Sequence, residues 1–236
     1  MEDILNSIVI EYRFKLSLAK IEIFRVELDP LTLNLLKKFP ETPPSWTKLD
    51  FHQCPICPFG SAADKYCPLA LSILDIVEHF DHVLSYDRIH LEVITRERRI
   101  SQETSAQQGL SSLMGLLIAT SGCPYTEYFK PMARFHLPFA SRDETIYRAL
   151  SMYLLAQYFL QDENGKIDFQ LDGLKKIYDN IQEVNYSIAK RLRNASSADS
   201  PVNAIVILDT FAKAIPTVIE DSLNNIRHLF SSYIRN

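Results

Sequence analysis

Apolar and polar residues alternate along the first part of the chain. The apolar positions are spaced by two and predict a half-buried β-strand: Ile8, Ile10, Tyr12, Phe14 and Leu16. Residues 20–28 alternate as well, but their apolar set changes phase between Ile23 and Phe24. This stretch therefore predicts the second strand of a hairpin, with a bulge or twist at the change of phase.

Two helices and a further strand are predicted downstream. Asp29-Pro30 has the form of an N-cap and first helical residue, and predicts a short helix that Pro40 ends. Pro68 opens another helix, whose apolar positions share one face: Leu69, Ile73, Ile76, Val77 and Phe80. Residues 87–98 alternate again, so we expect a third strand that completes a small antiparallel sheet.

From residue 104 onward the periodicity is helical. Capping-box spacings occur at Thr104-x-x-Gln107 and at Ser141-x-x-Glu144, and two long helices are predicted over residues 169–193 and 202–233. The fold class is therefore α+β, with a small N-terminal antiparallel sheet and a cysteine-bearing loop followed by a mainly α-helical body. We expect a single domain over residues 1–236, strand-rich to residue 100 and helical from residue 101.

Charge and hydropathy restrict the classes of partner. The 236 residues include 25 Lys and Arg against 29 Asp and Glu, a formal charge of −4, so we expect no nucleic-acid partner. The longest strongly apolar run, residues 113–119, is much shorter than the roughly 20 residues of a bilayer span, so we expect no membrane insertion. The acidic start, Met1-Glu2-Asp3, is unlike a signal peptide and predicts a cytoplasmic protein.

Four cysteines form the strongest chemical pattern in the sequence. Cys54 and Cys57 have the two-residue spacing that lets two thiolates converge on one ion, Cys67 precedes a predicted helix, and Cys123 follows another. Each is followed by proline, which stiffens the turn that presents the sulfur. In a cytoplasmic chain these features favour a metal site over a disulfide framework, and predict Cys54, Cys57, Cys67 and Cys123 as its ligands.

Several alternatives remain open for these thiols. Zinc is the expected metal of a closed four-thiolate site, and an iron–sulfur cluster is the alternative. His52 or His136 would replace one cysteine in a mixed site. The thiols would otherwise be small buried hydrophobic groups, or Cys54 and Cys57 a redox pair.

Other polar groups suggest weaker hypotheses. Asp75, Glu78, His79 and His82 share one helix face, which is typical of a carboxylate–histidine metal site but also of a solvated surface. Arg134 and His136, together with Gln107 and Gln108, would line the cleft of an enzyme. The sequence contains no common phosphate-binding or nucleophile motif, so an enzyme is the less favoured interpretation.

The last predicted helix carries a long apolar stripe that includes Leu208, Phe211, Leu223 and Phe230. Core packing explains such a stripe, and homodimerisation through this C-terminal helix is the alternative. With a structural zinc site, this surface would give the protein a regulatory or protein-interaction role.

Several segments together resemble a known family. They are Phe51-His-Gln-Cys-Pro-Ile-Cys-Pro, Tyr66-Cys-Pro-Leu-Ala, Gln108-Gly-Leu-Ser-Ser-Leu-Met-Gly, Ser121-Gly-Cys-Pro and Pro131-Met-Ala-Arg-Phe-His-Leu-Pro-Phe-Ala. The chain is similar in these segments to a bacterial family of uncharacterised proteins, a domain of unknown function. The resemblance extends over most of the chain and implies no activity and no catalytic residue.

Overall fold

A computed structural model describes residues 7–17, 20–60, 65–162 and 167–234, apart from the side chains at 162, 215–222 and 225. Its N-terminal part is one antiparallel sheet with the strand order β2-β1-β3-β4. The strands are β1 (Ile8–Lys15), β2 (Ile21–Leu28), β3 (Arg88–Ile94) and β4 (Arg99–Ser105). The predicted small antiparallel sheet is confirmed, with β4 as an additional strand.

The β1–β2 hairpin has no bulge among its paired residues. Its register is unbroken from Ile8 opposite Leu28 to Lys15 opposite Ile21. The change of phase arises because Ile21 and Ile23 lie on the solvent face, with 56% and 57% of their surface exposed, while the next apolar residues lie on the core face. The predicted bulge was wrong because apolar residues occur on both faces of β2.

The segment after β2 is a turn, and the predicted short helix is wrong. The Asp29 carboxylate accepts hydrogen bonds from the amides of Leu31 and Thr32 and from the Thr32 hydroxyl. Leu33 then has a positive φ of 57°, which interrupts a right-handed helix. Leu35 forms an isolated bridge with Leu28, so the chain runs back beside β2. Asp29 does cap the backbone, but it caps a turn.

The helix predicted at Pro68 is present in two pieces, α1 (Pro68–Ser72) and α2 (Leu74–Phe80), and its predicted apolar face is buried. The next helix, α3 (Ala106–Ala119), starts two residues after Thr104. Thr104 itself lies in β4, and its hydroxyl donates to Gln108 Oε1 at 2.8 Å. The capping box predicted at Thr104 is therefore wrong, because this threonine is part of β4 and Ser105 is the N-cap residue of α3.

The remaining helices are α4 (Lys130–Arg134), α5 (Arg142–Asp162), α6 (Asp172–Ala195), α7 (Ser200–Ile226) and α8 (Ser231–Ile234). Short 3₁₀ turns at Ser45–Thr47, Glu127–Phe129 and Arg227–Phe230 connect other parts of the chain. The capping box at the start of α5 is confirmed: the Ser141 amide donates to Glu144 Oε2, and the Glu144 amide donates to Ser141 Oγ. A mainly helical body thus follows the sheet, as predicted.

Two groups of buried side chains hold these elements together. The main core joins one face of the sheet to α1, α2, α3, the middle of α6 and the start of α7. A smaller cluster lies between α5, the first half of α6 and Ala212 of α7. Both groups include side chains from α6 and α7, so these two helices extend from the sheet-facing core into the smaller cluster. The cysteine loop packs against the edge of the main core.

Candidate functional site

Three of the four cysteines lie between the 3₁₀ turn at Ser45–Thr47 and the start of α1. The Cys57 amide donates to the Cys54 carbonyl at 3.0 Å, which makes the Cys-x-x-Cys segment a tight turn. Cys67 is the N-cap residue of α1, and its amide donates to the Thr47 carbonyl at 2.8 Å. All four thiols are free. The loop therefore presents three sulfurs from a braced backbone.

The chain after α3 brings Cys123 to the same region. Gly122 has a positive φ of 85°, which turns the chain away from the helix axis. The Tyr125 hydroxyl then donates to the Ile56 carbonyl at 2.6 Å, and so ties this segment to the Cys54–Cys57 turn. Thr126 donates back to the Ile118 carbonyl at the end of α3. These bonds hold the segment that contains Cys123 beside the Cys54–Cys57 turn.

The thiols are close enough to affect one another's pKa. Burial raises the pKa of Cys54, and the neighbouring Cys67 raises it further, while a hydrogen bond with Ser187 lowers it. Burial raises the pKa of Cys123 to about 11, again with a contribution from Cys67. Within the described part of the chain, however, no three His, Cys, Asp or Glu side chains form a group that could hold one ion. The ligand set stays a prediction.

Arg191 of α6 is a buried cation beside these thiols. Only 1% of its surface is exposed, and its guanidinium donates to the carbonyls of three residues in the segment before the loop: Trp46, Lys48 and Leu49. Its Nε has no hydrogen-bond partner. Burial lowers the pKa of Arg191, and nearby Cys67 and Cys54 oppose that shift. Among the described residues no carboxylate forms an ion pair with it.

The polar face of α2 does not assemble as a metal site. His79 Nδ1 is 2.7 Å from Glu22 Oε2, Asp75 pairs with Lys37, and His82 contacts Lys20. Each group has a partner on a different segment, as expected of a solvated surface. His52 is hydrogen-bonded to Asn194, so the structure gives no support to it as a replacement ligand.

A separate cavity of about 350 Å³ lies between α3, α5, α6, α7 and the segment around α4, with residues of β4 at its border. Much of its wall is apolar, including Leu116, Ile181, Leu208 and Phe211. Its volume is within the range of about 300–1,000 Å³ that is typical of small-molecule sites. Polar residues line it as well, among them serine, threonine and glutamine side chains. Three other polar groups each have a distinct environment.

His136 is the first of these polar groups. Its Nε2 is hydrogen-bonded to the Tyr12 hydroxyl, which is 3.0 Å from Ser112 Oγ. Burial, together with the positive charge of Arg148, lowers the pKa of His136 to about 3, while burial raises that of Tyr12. The chain Ser112–Tyr12–His136 is therefore uncharged at neutral pH, and His136 is far from the pKa of a general base that works near pH 7.

Arg148 and Asn185 are the other two. Arg148 Nη2 donates to the carbonyls of Met132 and Phe135 at 2.8 and 2.9 Å. Asn185 is only 3% exposed, and its Nδ2 has no hydrogen-bond partner. None of the described residues that line the cavity is Asp or Glu. The cavity thus offers hydrogen-bond donors and one cation in a mainly apolar wall.

A family model matches residues 10–231, which is most of the chain. The chain belongs to the family described as domain of unknown function DUF6901. The predicted resemblance to an uncharacterised domain family is thereby confirmed. Neither a curated protein nor a solved structure matches the chain. Membership of the family supplies no activity, so the function has to be argued from these two sites.

The proposed catalytic cleft is only partly assembled. His136 and Gln108 line the cavity, but Arg134 is exposed, stacks over the Phe135 ring and is absent from the lining, as is Gln107. The apolar stripe of the C-terminal helix is likewise divided. Leu208 and Phe211 face the cavity, whereas Leu223 and Phe230 are 37% and 38% exposed. None of the described helices is long and apolar enough to cross a membrane.

Sequence reasoning missed Arg148, Asn185 and Arg191. Arg191 did leave a signal, because it follows Val184 and Ile188 at helical spacing and is therefore a charge on the apolar face of α6. Arg148 and Asn185 left none, since polar residues on amphipathic helices are common and only the tertiary structure directs these two toward a cavity.

Proposed function

We propose that this protein is a cytoplasmic metal-binding protein in which Cys54, Cys57, Cys67 and Cys123 hold a structural zinc ion. Its role would be regulatory, exercised through a protein partner. The observation that carries this proposal is the position of Arg191: a buried guanidinium, whose hydrogen bonds go to backbone carbonyls, lies near Cys54, Cys57 and Cys67.

Charge balance supports the assignment. A buried cation is costly unless an anion compensates it. Four thiolates around Zn²⁺ carry a net charge of −2, because the ion offsets only two of the four negative charges. Such a site would compensate Arg191, and the unpartnered Nε has no acceptor in the protein alone. With neutral thiols, only the backbone carbonyls and the charge of Asp50, which forms no direct ion pair with Arg191, would compensate the guanidinium.

The metal would join three segments that are distant in sequence. Cys54 and Cys57 belong to the loop, Cys67 begins α1, and Cys123 follows α3. Metal binding to such a set contributes directly to folding, because the unfolded chain does not hold the four ligands together. Residues of the chain itself position the ligands. Tyr125 holds the Cys123 segment against the cysteine loop, and Arg191 binds the segment that precedes this loop, at Trp46.

An iron–sulfur cluster with a redox or sensor role is the second candidate. Cys54, Cys67 and Cys123 influence one another's pKa, so the same thiols that would bind zinc would serve as ligands of a cluster. A single zinc ion requires four sulfurs at about 2.3 Å from one centre. A cluster is held by the same four thiolates but spans a larger space between them.

Elemental analysis and an ultraviolet–visible spectrum test the proposal on protein purified without oxygen and without added metal. We expect colourless protein with one zinc per chain. Brown protein with iron and acid-labile sulfide would establish the cluster in its place. Absence of any metal would contradict both candidates and leave the cysteines as buried side chains.

The Cys123→Ser variant tests the distant ligand. It keeps the size and polarity of the side chain but removes a thiolate, so we expect loss of bound metal and a lower Tm. Ser121→Ala is the matched control, because it removes two hydrogen bonds in the same turn, one of them from the Cys123 amide, but keeps the thiol, and it should retain the metal. Equal metal content in Cys123→Ser and the wild type would exclude Cys123 as a ligand.

We further propose that the partner surface is the end of the C-terminal helix, where two copies of the chain would associate. Leu223, Leu229 and Phe230 expose 37%, 64% and 38% of their surface there, and grouped exposed apolar residues are typical of interaction sites. Light scattering after size exclusion should give the mass of a dimer, and Leu229→Ser with Phe230→Ser should give a monomer. A monomeric wild type would contradict this part of the proposal.

A further inference from the structure

The cavity between α3, α6 and α7 has a chemistry that the cysteine site does not explain. Its lining is mainly apolar and encloses about 350 Å³. Of the polar lining residues, Gln102 and Gln108 are exposed, His136 and Arg148 are half-buried, and Asn185 is buried. A cavity of this size with a mainly apolar lining disfavours strongly hydrated ligands. The polar groups inside it therefore decide which molecule binds.

Arg148 supplies a positive charge to the cavity wall. Burial lowers its pKa, and the negative charge of nearby Glu144 opposes that shift. The two hydrogen bonds of Arg148 both use Nη2, which leaves Nε and Nη1 as donors for a ligand. No carboxylate in the described part of the chain forms an ion pair with it. Glu144, one helical turn earlier, is hydrogen-bonded to the Ser141 amide at the start of α5. A planar guanidinium in an apolar wall favours a carboxylate, which it can bind with two parallel hydrogen bonds.

Asn185 supplies a second, independent observation. Its side chain is 97% buried in the cavity wall, and its Nδ2 donor has no acceptor in the protein. A buried amide without a partner is unfavourable, so an acceptor oxygen on a ligand would satisfy it. Asn185 follows Tyr178 by seven residues on α6, which places it about 10 Å further along the helix axis. Tyr178, like Asn185, lines the cavity.

We propose that this cavity binds a medium-chain aliphatic carboxylate whose carboxylate group pairs with Arg148 and whose far end carries an oxygen that accepts a hydrogen bond from Asn185. The hydrocarbon body lies against Leu116, Leu208 and Phe211. None of the described residues that line this cavity is a cysteine. The ligand proposal is therefore tested independently of the metal proposal.

Calorimetric titration of the full chain with three probes tests the ligand class. Decanoate carries the charge and the hydrocarbon chain, decanol lacks the charge, and 10-hydroxydecanoate adds an oxygen at the far end. We expect 10-hydroxydecanoate to bind most tightly and decanol to bind at least about tenfold more weakly than decanoate, because it cannot pair with Arg148. Equal affinity for decanol and decanoate, or no binding of either acid, would overturn the proposal.

Three variants locate the binding site. Arg148→Gln should weaken decanoate binding about tenfold and leave decanol binding unchanged, whereas the exposed Arg142→Gln on the same helix is the control and should change neither. Asn185→Leu should remove the preference for 10-hydroxydecanoate over decanoate. Loss of decanoate binding in the Arg142 variant as well would indicate a general charge effect, and would contradict the assignment.

A cavity-filling variant keeps the test decisive if Arg148→Gln does not fold. Gly115 lies on α3 in the cavity wall, and a Cβ there would meet only the Leu208 side chain, at 3.6 Å. Gly115→Leu therefore fits the helix and fills part of the space, so binding of all three probes should be lost while the far-ultraviolet circular dichroism is retained. Retained binding in folded Gly115→Leu protein would place the probes elsewhere and overturn the proposal.

Discussion

A single buried side chain, Arg191, connects the helical body to the cysteine loop. Its guanidinium lies on the apolar face of α6, and three backbone carbonyls of residues 46–49 accept its hydrogen bonds. Those carbonyls belong to a segment that contains only a 3₁₀ turn and an isolated β-bridge, so arginine supplies hydrogen bonds that a longer helix or strand would provide. Arg191 is therefore one of the contacts that hold the loop, together with the Cys67–Thr47 and Tyr125–Ile56 hydrogen bonds.

We expect Arg191→Gln to lower the free energy of unfolding by about 3 kcal/mol, because it leaves buried carbonyls without donors. Urea denaturation of the variant and the wild type measures this difference. Arg193→Gln is the control, since Arg193 is exposed on the same helix turn and its replacement should change stability by less than about 0.5 kcal/mol. Equal losses in the two variants would contradict a special role for Arg191.

His136 makes stability depend on pH in a defined direction. Its pKa is about 3 in the folded protein against 6.5 for the unperturbed group, so between these values the unfolded chain binds more protons than the folded one. The free energy of unfolding should therefore fall as the pH falls below about 6.5, by at most about 1.4 kcal/mol per pH unit from this residue.

Urea denaturation at pH 7 and pH 5 checks this dependence against His136→Gln, which keeps an acceptor near Tyr12. The variant should lose less stability over this interval than the wild type does. Carboxylates with lowered pKa values, such as Asp29 and Asp81, add acid sensitivity to both proteins and cancel in the comparison. Parallel curves for the two proteins would contradict the buried neutral histidine.

At the scale of elements, helix α3 packs closely against the sheet at Gly109. A Cβ at Gly109 would lie 3.0 to 3.2 Å from the side chains of Ile89, Phe14 and Leu91, whereas a Cβ at Gly115 would meet only Leu208 at 3.6 Å. The two glycines occupy the same helix. A substitution at either position therefore changes helix propensity alike, and only the packing against neighbouring side chains differs. The close approach of α3 to β1 and β3 depends on the missing side chain at Gly109.

We expect Gly109→Ala to destabilise the protein by about 1 kcal/mol, because overpacking of three buried side chains outweighs the gain in helix propensity. Gly115→Ala should instead stabilise it by about 0.5–1 kcal/mol, since alanine is the better helix former and the space is open. Thermal unfolding of both variants measures the difference. Stabilisation by both substitutions would show that Ile89, Phe14 and Leu91 can move aside without loss of stability.

Elements with a clear period were predictable, and those set by long-range pairing were not. The β1 alternation and the reciprocal Ser141–Glu144 cap depend on neighbouring residues, so their patterns sufficed. β4 was missed because its sequence, Arg99–Ser105, is polar at most positions. That strand forms because β3 offers it backbone partners through a tight turn at Thr95–Arg98. No local pattern records such a partner.

At the scale of the whole molecule, the cysteines connect parts of the chain that are far apart in sequence. The approach of Cys123 to the loop was predictable only as a possibility of tertiary folding. The Tyr125 bond and the positive φ of Gly122 accomplish it. The cavity was not predictable at all, since its walls come from β4 and from helices α3 to α7, and the sequence does not reveal how these elements pack together.

Removal of the proposed metal should therefore affect the stability of the whole chain. We expect a chelator to lower the free energy of unfolding by about 3 kcal/mol, which for a chain of this size is a fall in Tm of roughly 10 °C. Differential scanning calorimetry with and without chelator measures the shift. Cys123→Ser protein should show no further fall on chelation, and an equal fall in both proteins would contradict the role of Cys123.

The order β2-β1-β3-β4 leaves β2 and β4 at the two edges of the sheet. Residues 35 and 36 cover the end of β2, where Leu36 donates to the Glu27 carbonyl, while β4 carries exposed residues of both charge signs, Arg99 and Glu103 among them. Charged edge strands discourage pairing with strands of other molecules. When this protein is concentrated or heated, its aggregation should begin at the apolar helix surfaces. Fibrils that grow from the intact sheet should be rare.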